Sequence, residues 1–162
     1  MRRAACWLAG AWVGLIAGVG FVAAPALFAT LSRGDAGQVA AQLFKVDATI
    51  GVCIGAVLLV LCLQLARVDA ANGVSSRFST EMLLVLGALF AIVAGHYAIQ
   101  PMIESARRGE GGPSFAVLHG VASAFFLVKF LAVAVLAWRL TGAPRAPRAP
   151  AAEAATAAGP TS

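Results

Sequence analysis

The run CWLAGAWVGLIAGVGFVAAPALF, residues 6–28, carries no charged side chain, and proline first interrupts it at Pro25. At ~1.5 Å per residue a helix over this run reaches ~35 Å, enough to cross a hydrocarbon core ~30 Å thick. Three further apolar runs follow at residues 46–67, 81–101 and 115–139. They predict an all-α fold, an integral membrane four-helix bundle with four transmembrane helices. The connections are short, so residues 1–141 form one membrane domain with no soluble domain beside it.

Composition agrees. Of the 162 residues, 60% are hydrophobic and 12% are charged, with a mean hydropathy of +0.88. A soluble domain carries about twice that charge on its surface. The net charge of +5 would raise nucleic acid as a partner for a soluble protein. Here the basic residues gather at the ends of the apolar runs, with no basic patch interleaved with aromatics. That pattern points to a lipid bilayer, and no nucleic acid is expected.

Orientation follows from the basic residues of the short connections. One side carries seven: Arg2, Arg3, Arg67, Arg77, Arg139, Arg145 and Arg148. The other carries four: Arg33, Lys45, Arg107 and Arg108. The excess predicts both termini in the cytoplasm, with Trp7 and Trp138 at the cytoplasmic interface. Arg2 and Arg3 before an apolar run also suit a signal peptide. This run exceeds the ~7–15 residues of such a peptide, which predicts a retained helix.

Between the first two runs, Asp35 is a good N-cap, and Val39 and Leu43 repeat at helical spacing. A helix is predicted to begin near Asp35 and continue into the second span. Asn72-Gly73 and Ser75-Ser76 signal turns. Gly109, Gly111, Gly112 and Pro113 predict a mobile loop. The tail, residues 142–162, is rich in Ala and Pro and predicted to be disordered. Pro25 should kink or end the first helix.

Small residues recur every four positions: Gly10, Gly14 and Gly18; Gly51 and Gly55; Gly87, Ala91 and Gly95; Gly120 and Ala124. Such a glycine zipper lets membrane helices approach closely, so Gly14→Leu is expected to weaken the bundle. The stripes also leave room for a homo-oligomer or another membrane protein as partner. Cys6, Cys53 and Cys62 lie inside the runs without a Cys-x-x-Cys pair and are read as small buried hydrophobes.

The polar residues within or beside the runs are the candidates for function. His96 and His119 fall at similar depth on the outer side. Gln100 lies one turn from His96, Ser123 one turn from His119, and Asp47 and Glu104 are near enough to join them. Ionisable side chains at membrane depth usually face the bundle interior. Three readings stay open: hydrogen bonds that fix packing, a metal or haem site on the histidines, or a proton- or substrate-handling site. Lys129 is expected to snorkel to the cytoplasmic interface, or to meet Glu81 or Gln64, apart from any histidine site. No phosphate loop, nucleophile elbow or HExxH motif is present, so no catalytic residue is assigned and an enzyme is not expected.

The stretch FVAAPALFATL, residues 21–31, resembles the first signature of the bacterial domain of unknown function 4149, a family similar to transmembrane protein 205. Ala36-Gly37 and Gln42-Leu43-Phe44 continue that pattern. Pro101-Met102, Phe115, Leu118-His119-Gly120 and Ser123 resemble its later signature, so the likeness runs from Gly10 to Arg139. The resemblance implies four membrane helices, a retained first helix and a place in a bacterial inner membrane. It makes Pro25, Phe28, Phe44, Pro101, His119 and Gly120 pattern residues. Phe126 stands where relatives carry Asn or Tyr, and Ala122 where they carry Ser. A looser similarity to copper-resistance-D-like membrane proteins favours the metal and haem reading. The function expected is a small transport or metal-tolerance component without a cofactor. The alternatives are a haem- or copper-binding redox module and a non-catalytic assembly partner.

Overall fold

The computed structural model describes residues 1–71, 79–109 and 112–142, and among these it holds helices and no strand. The helices are α1 (Arg2–Thr30), α2 (Arg33–Ala71), α3 (Thr80–Arg107) and α4 (Phe115–Thr141), each long and apolar enough to cross a membrane. All four extend past the apolar runs that announced them. The turn signals at residues 72–78, Gly111 and the tail from residue 143 lie outside the described residues.

Local chemistry sets the ends. Thr30 closes α1 by donating its hydroxyl to the Ala26 carbonyl at 2.8 Å, and Leu31 is extended. Ser32 then caps α2: its Oγ accepts from the Asp35 amide at 3.3 Å and donates to the Asp35 carboxylate at 2.7 Å. Asp35 is therefore the third residue of the helix rather than its cap, completing a reciprocal capping pair. Ser79 and Ser114 cap α3 and α4, each accepting from the backbone amide three residues on, Met82 and Val117. Gly109, with φ +73°, ends α3 in the left-handed region that favours glycine. At 39 residues α2 spans ~58 Å, well beyond a hydrocarbon core.

Each helix packs on two neighbours, so the four form a closed ring in chain order, with α4 returning to α1. The core fills the half of the bundle that holds the N-terminus. Trp12 and Ile16 of α1, Leu58 and Cys62 of α2, Val85 of α3, and Val133 and Leu136 of α4 meet there, all buried. At this end Arg2 donates to the Arg139, Leu140 and Gly142 carbonyls at 3.1, 3.3 and 3.0 Å. A cation there suits the negative end of the α4 dipole. Arg139 pairs with Glu81 at 3.0 Å, linking α4 to α3. The outside is apolar: Trp7 is 81% exposed and Phe90 66%, as suits helices bathed in lipid rather than water.

The glycine stripes divide. A Cβ on Gly51 would come 3.0 Å from Ile92 and 3.2 Å from the Trp12 indole, and one on Gly55 would come 3.2 Å from the same ring. Here α2 is smooth because Trp12 of α1 and the Leu89 and Ile92 side chains of α3 lie against it, Leu89 only 2.6 Å from a Cβ on Gly55. At Gly10, Gly14, Gly18, Gly87 and Gly120 an added Cβ meets nothing within 4 Å, so these five do not pack the bundle. The buried face of α1 is Ala5, Ala9, Trp12 and Ile16, which turns its glycines outward. The weakening expected of Gly14→Leu loses its basis. Cys62 is buried as expected, whereas Cys53 faces outward.

Pro25 does not end α1, and α3 continues past Pro101 to Arg107. Both helices instead widen just before the proline, into π turns at Gly18–Ala23 and Val93–Ala98. A proline offers no donor to the carbonyl four residues back and crowds it with its ring. Those carbonyls belong to Phe21 and Tyr97, inside the widened turns. A π turn relieves that conflict without breaking the rod.

Candidate functional site

Beyond the core, towards the end where α1 stops and α2 starts, the four helices separate around a cleft of about 570 Å³. Five of the six candidates from sequence line it: Asp47, His96, Gln100, His119 and Ser123. Glu104 does not; it is exposed on α3. Both π turns border the cleft, and each contributes a glycine against a ring. A Cβ on Gly20 would collide with Phe126, and one on Gly95 would lie 2.7 Å from the Phe125 Cβ.

The floor is an ion pair. The Lys129 ammonium donates to Oδ2 of Asp47, with Lys129 5% and Asp47 2% exposed. This corrects the placement of Lys129 at the cytoplasmic interface. It joins neither Glu81, which Arg139 takes, nor Gln64, and it shares one cleft with both histidines. The reason is depth. Asp47 and Lys129 each lie fourteen residues from the first residue of their helix (33 to 47, 115 to 129), and both helices start at the same end. An acceptor at the same level inside the bundle is nearer than either interface.

Such a pair is held by its geometry. Removing two charges from water costs several kcal/mol per ion, and mutual attraction offsets this only at close range. Asp47 lies on the buried face of α2, among Ala40, Ala48 and Gly51, where small neighbours leave room for the lysine. The Phe126 ring lies 4.8 Å from the ammonium, a cation–π contact. Phe126 also meets Phe44 edge-on at 5.5 Å and Phe21 at 6.3 Å. The ion pair and the Phe44–Phe126 contact thus join α2 to α4 across the ring of helices, where the two backbones stay apart. One polar atom of the pair is unused: Asp47 Oδ1 is buried and accepts no hydrogen bond.

Nearer the mouth, Phe115 stacks on His119 with ring centres 5.6 Å apart and planes 10° from parallel. The Arg107 guanidinium lies 5.1 Å from the other ring centre of that stack, Phe115. His96 meets Tyr97 edge-on at 5.1 Å. The Ser123 hydroxyl donates to the His119 carbonyl at 2.8 Å and keeps its lone pairs for another partner. Among the described residues no three His, Cys, Asp or Glu side chains gather as a metal site would need.

The family described as Domain of unknown function (DUF4149) matches residues 7–111. The chain belongs to this family. No curated protein and no solved structure matches it. The DUF4149 match takes in all of α2 and α3 and most of α1, so Pro25, Phe28, Phe44, Asp47, His96 and Pro101 lie within it. It stops before Phe115. Lys129, His119, Gly120 and Ser123 therefore belong to a helix beyond the matched segment, and half of the floor ion pair comes from there.

Sequence reasoning missed Lys129 and counted Arg107 only as a topological charge. The missed signal was a pair of opposite charges, Asp47 and Lys129, each accompanied in its apolar run only by the arginine that ends it, Arg67 or Arg139. Charges at membrane depth seek one another.

Proposed function

We propose that this DUF4149 member is a non-enzymatic, multi-pass protein of the bacterial inner membrane that receives a small solute in its cleft, as a transport component would. Both termini lie in the cytoplasm on this reading, which the excess of basic residues at that end supports, and the cleft then faces outward. The observation that carries the proposal is the buried Asp47–Lys129 pair on the floor of an accessible cleft, with Oδ1 of Asp47 unpartnered. A pair serving packing alone would sit in the closed half of the bundle, where apolar side chains fill the space. Metal tolerance by direct cation capture has less support, because Lys129 already neutralises Asp47 and Glu104 stands outside the cleft.

Thiol labelling tests this reading. In a background with Cys6, Cys53 and Cys62 replaced, Ser123→Cys should react with a water-soluble, membrane-impermeant maleimide added outside intact cells. Val121→Cys, two positions away on the outer surface of α4, should not. Labelling of neither, or of Ser123→Cys only after the membrane is opened, would refute an outward-facing wet cleft. His96 and His119 lining one cleft favours a haem or copper module as the second reading. A Soret band or stoichiometric copper in natively purified protein would put that reading first.

A further inference from the structure

The mouth of the cleft carries a charge that its lining does not balance, and this step rests on the solute-binding reading above. Of the three charged side chains that line the cleft, Asp47 and Lys129 cancel and Arg107 remains. We infer that the cleft takes a single-chain carboxylate amphiphile. Its head sits on the Arg107 guanidinium, and its apolar body runs down past Ser123 to the phenylalanines above the floor.

Three observations converge. Arg107 is exposed in the last turn of α3, and among the described residues it makes no hydrogen bond or ion pair. Its guanidinium reaches over the mouth. A Cβ on Gly37 of α2 would lie 3.2 Å from Nη2, and the Phe115 ring of α4 is centred 5.1 Å from Cζ. The ring holds the cation in place, and the fork of N–H donors matches a carboxylate. Below the mouth the walls turn aromatic, with Phe44, Phe125 and Phe126. Gly37, level with Arg107, precedes Asp47 by ten residues on α2 (37 to 47), so the floor lies ~15 Å down. An extended chain advances ~3.3–3.6 Å per three bonds, so a body of about twelve carbons spans that depth.

The third observation is a way in. In the outer half the bundle divides into two pairs: Ala24–Thr30 packs on α2, and Ile99–Arg107 packs on α4. The backbones of Ala24–Thr30 and α4 stay apart, and so do those of α2 and Ile99–Arg107. An apolar body dissolved in the bilayer reaches the cleft sideways through these gaps. Its carboxylate stays at the mouth, because an ionised group is costly at membrane depth. Arg107 repels a cationic head, and an uncharged head leaves the guanidinium unused. A bilayer phospholipid brings two chains, whereas about 570 Å³ suits one small organic molecule.

Protection of a thiol reads the occupant. Ser123→Cys, in the background without Cys6, Cys53 and Cys62, stands between mouth and floor. The full chain in zwitterionic nanodiscs would be labelled with a water-soluble maleimide. Dodecanoate, dodecanol and dodecyltrimethylammonium would be compared at equal mole fraction in the bilayer, in buffer alkaline enough to ionise the acid. Gln38→Cys, exposed on α2 outside the cleft, controls for effects on the reagent or the membrane. Dodecanoate should slow labelling of Ser123→Cys and leave Gln38→Cys unchanged. Half-protection should need about fivefold less dodecanoate than dodecanol, the upper end for an exposed ion pair. Arg107→Gln, an exposed change that leaves the walls intact, should erase that preference. Equal protection by dodecanoate and dodecanol, or strongest protection by the ammonium, would overturn the inferred class and leave the cleft as a solute site. Protection by phosphatidylglycerol placed in the nanodisc, with no amphiphile added, would overturn the single-chain occupant in favour of a bilayer lipid. If Ser123→Cys is labelled and no amphiphile protects it, the inference fails and the open cleft stands. If Ser123→Cys is not labelled at all, the solute-binding reading itself fails.

Discussion

Replacing Lys129 with Met removes the ammonium and keeps the length of the stem. Asp47 is then left 2% exposed, with Oδ2 stripped of its partner and Oδ1 already without one. Breaking one side of a buried ion pair costs ~3–5 kcal/mol, because the remaining charge stays desolvated and uncompensated. Taken as ~4 kcal/mol, this lowers the folding equilibrium constant by nearly a thousandfold. Removing both charges should do far less harm. Asp47→Leu with Lys129→Met leaves no orphan, and such exchanges are often neutral or stabilising. The coupling between the two sites should therefore be several kcal/mol and favourable to the pair. Equilibrium unfolding in bicelles, followed by circular dichroism during SDS titration, would give all four corners of the cycle. If Lys129→Met is as stable as the parent, or the double variant no better than the single, the buried pair is not what holds α2 to α4.

Three further substitutions test the packing. Gly95→Ala places a Cβ 2.7 Å from the Phe125 Cβ and should destabilise by ~1–3 kcal/mol in the same assay. Gly14→Ala meets nothing within 4 Å, so the better helix former should leave stability unchanged or raise it by up to ~1 kcal/mol. Equal losses in the two would restore the zipper reading of α1. Arg2→Ala removes three hydrogen bonds to the end of α4 and should cost ~1 kcal/mol, read as faster amide exchange over residues 138–142.

The fold was legible because four apolar runs leave a chain few alternatives. The helix ends were less so. The early start of α2 was legible, since a helix beginning near Asp35 was expected and Arg33 begins it, but its cap is Ser32 rather than Asp35. Depth in the site was nevertheless judged from the apolar runs and not from the helix starts. With the second span begun at residue 46, Asp47 looked like an interfacial residue and Lys129 a distant one. Counted from the true helix starts, they stand level. The glycine stripes misled for a different reason. Spacing shows that small residues share a face, and cannot show whether that face meets a neighbour. Trp12 decided it on α1, since a large ring two positions from Gly14 claims the inner side. Pro25 was read as kinking or ending the first helix, and Pro101 stood at the end of the third apolar run. A single widened turn before each one absorbs the missing donor, a remedy that composition does not reveal.

The split between a packed half and an open half has a consequence for traffic. No residue of Gly18–Ala23 or Val93–Ala98 is buried, whereas Trp12, Leu58, Val85 and Leu136 seal the bundle beneath Asp47 and Lys129. A visitor that reaches the charged floor stands in a cup and not a tunnel. It leaves by the rim it entered, unless the sealed rods part below it.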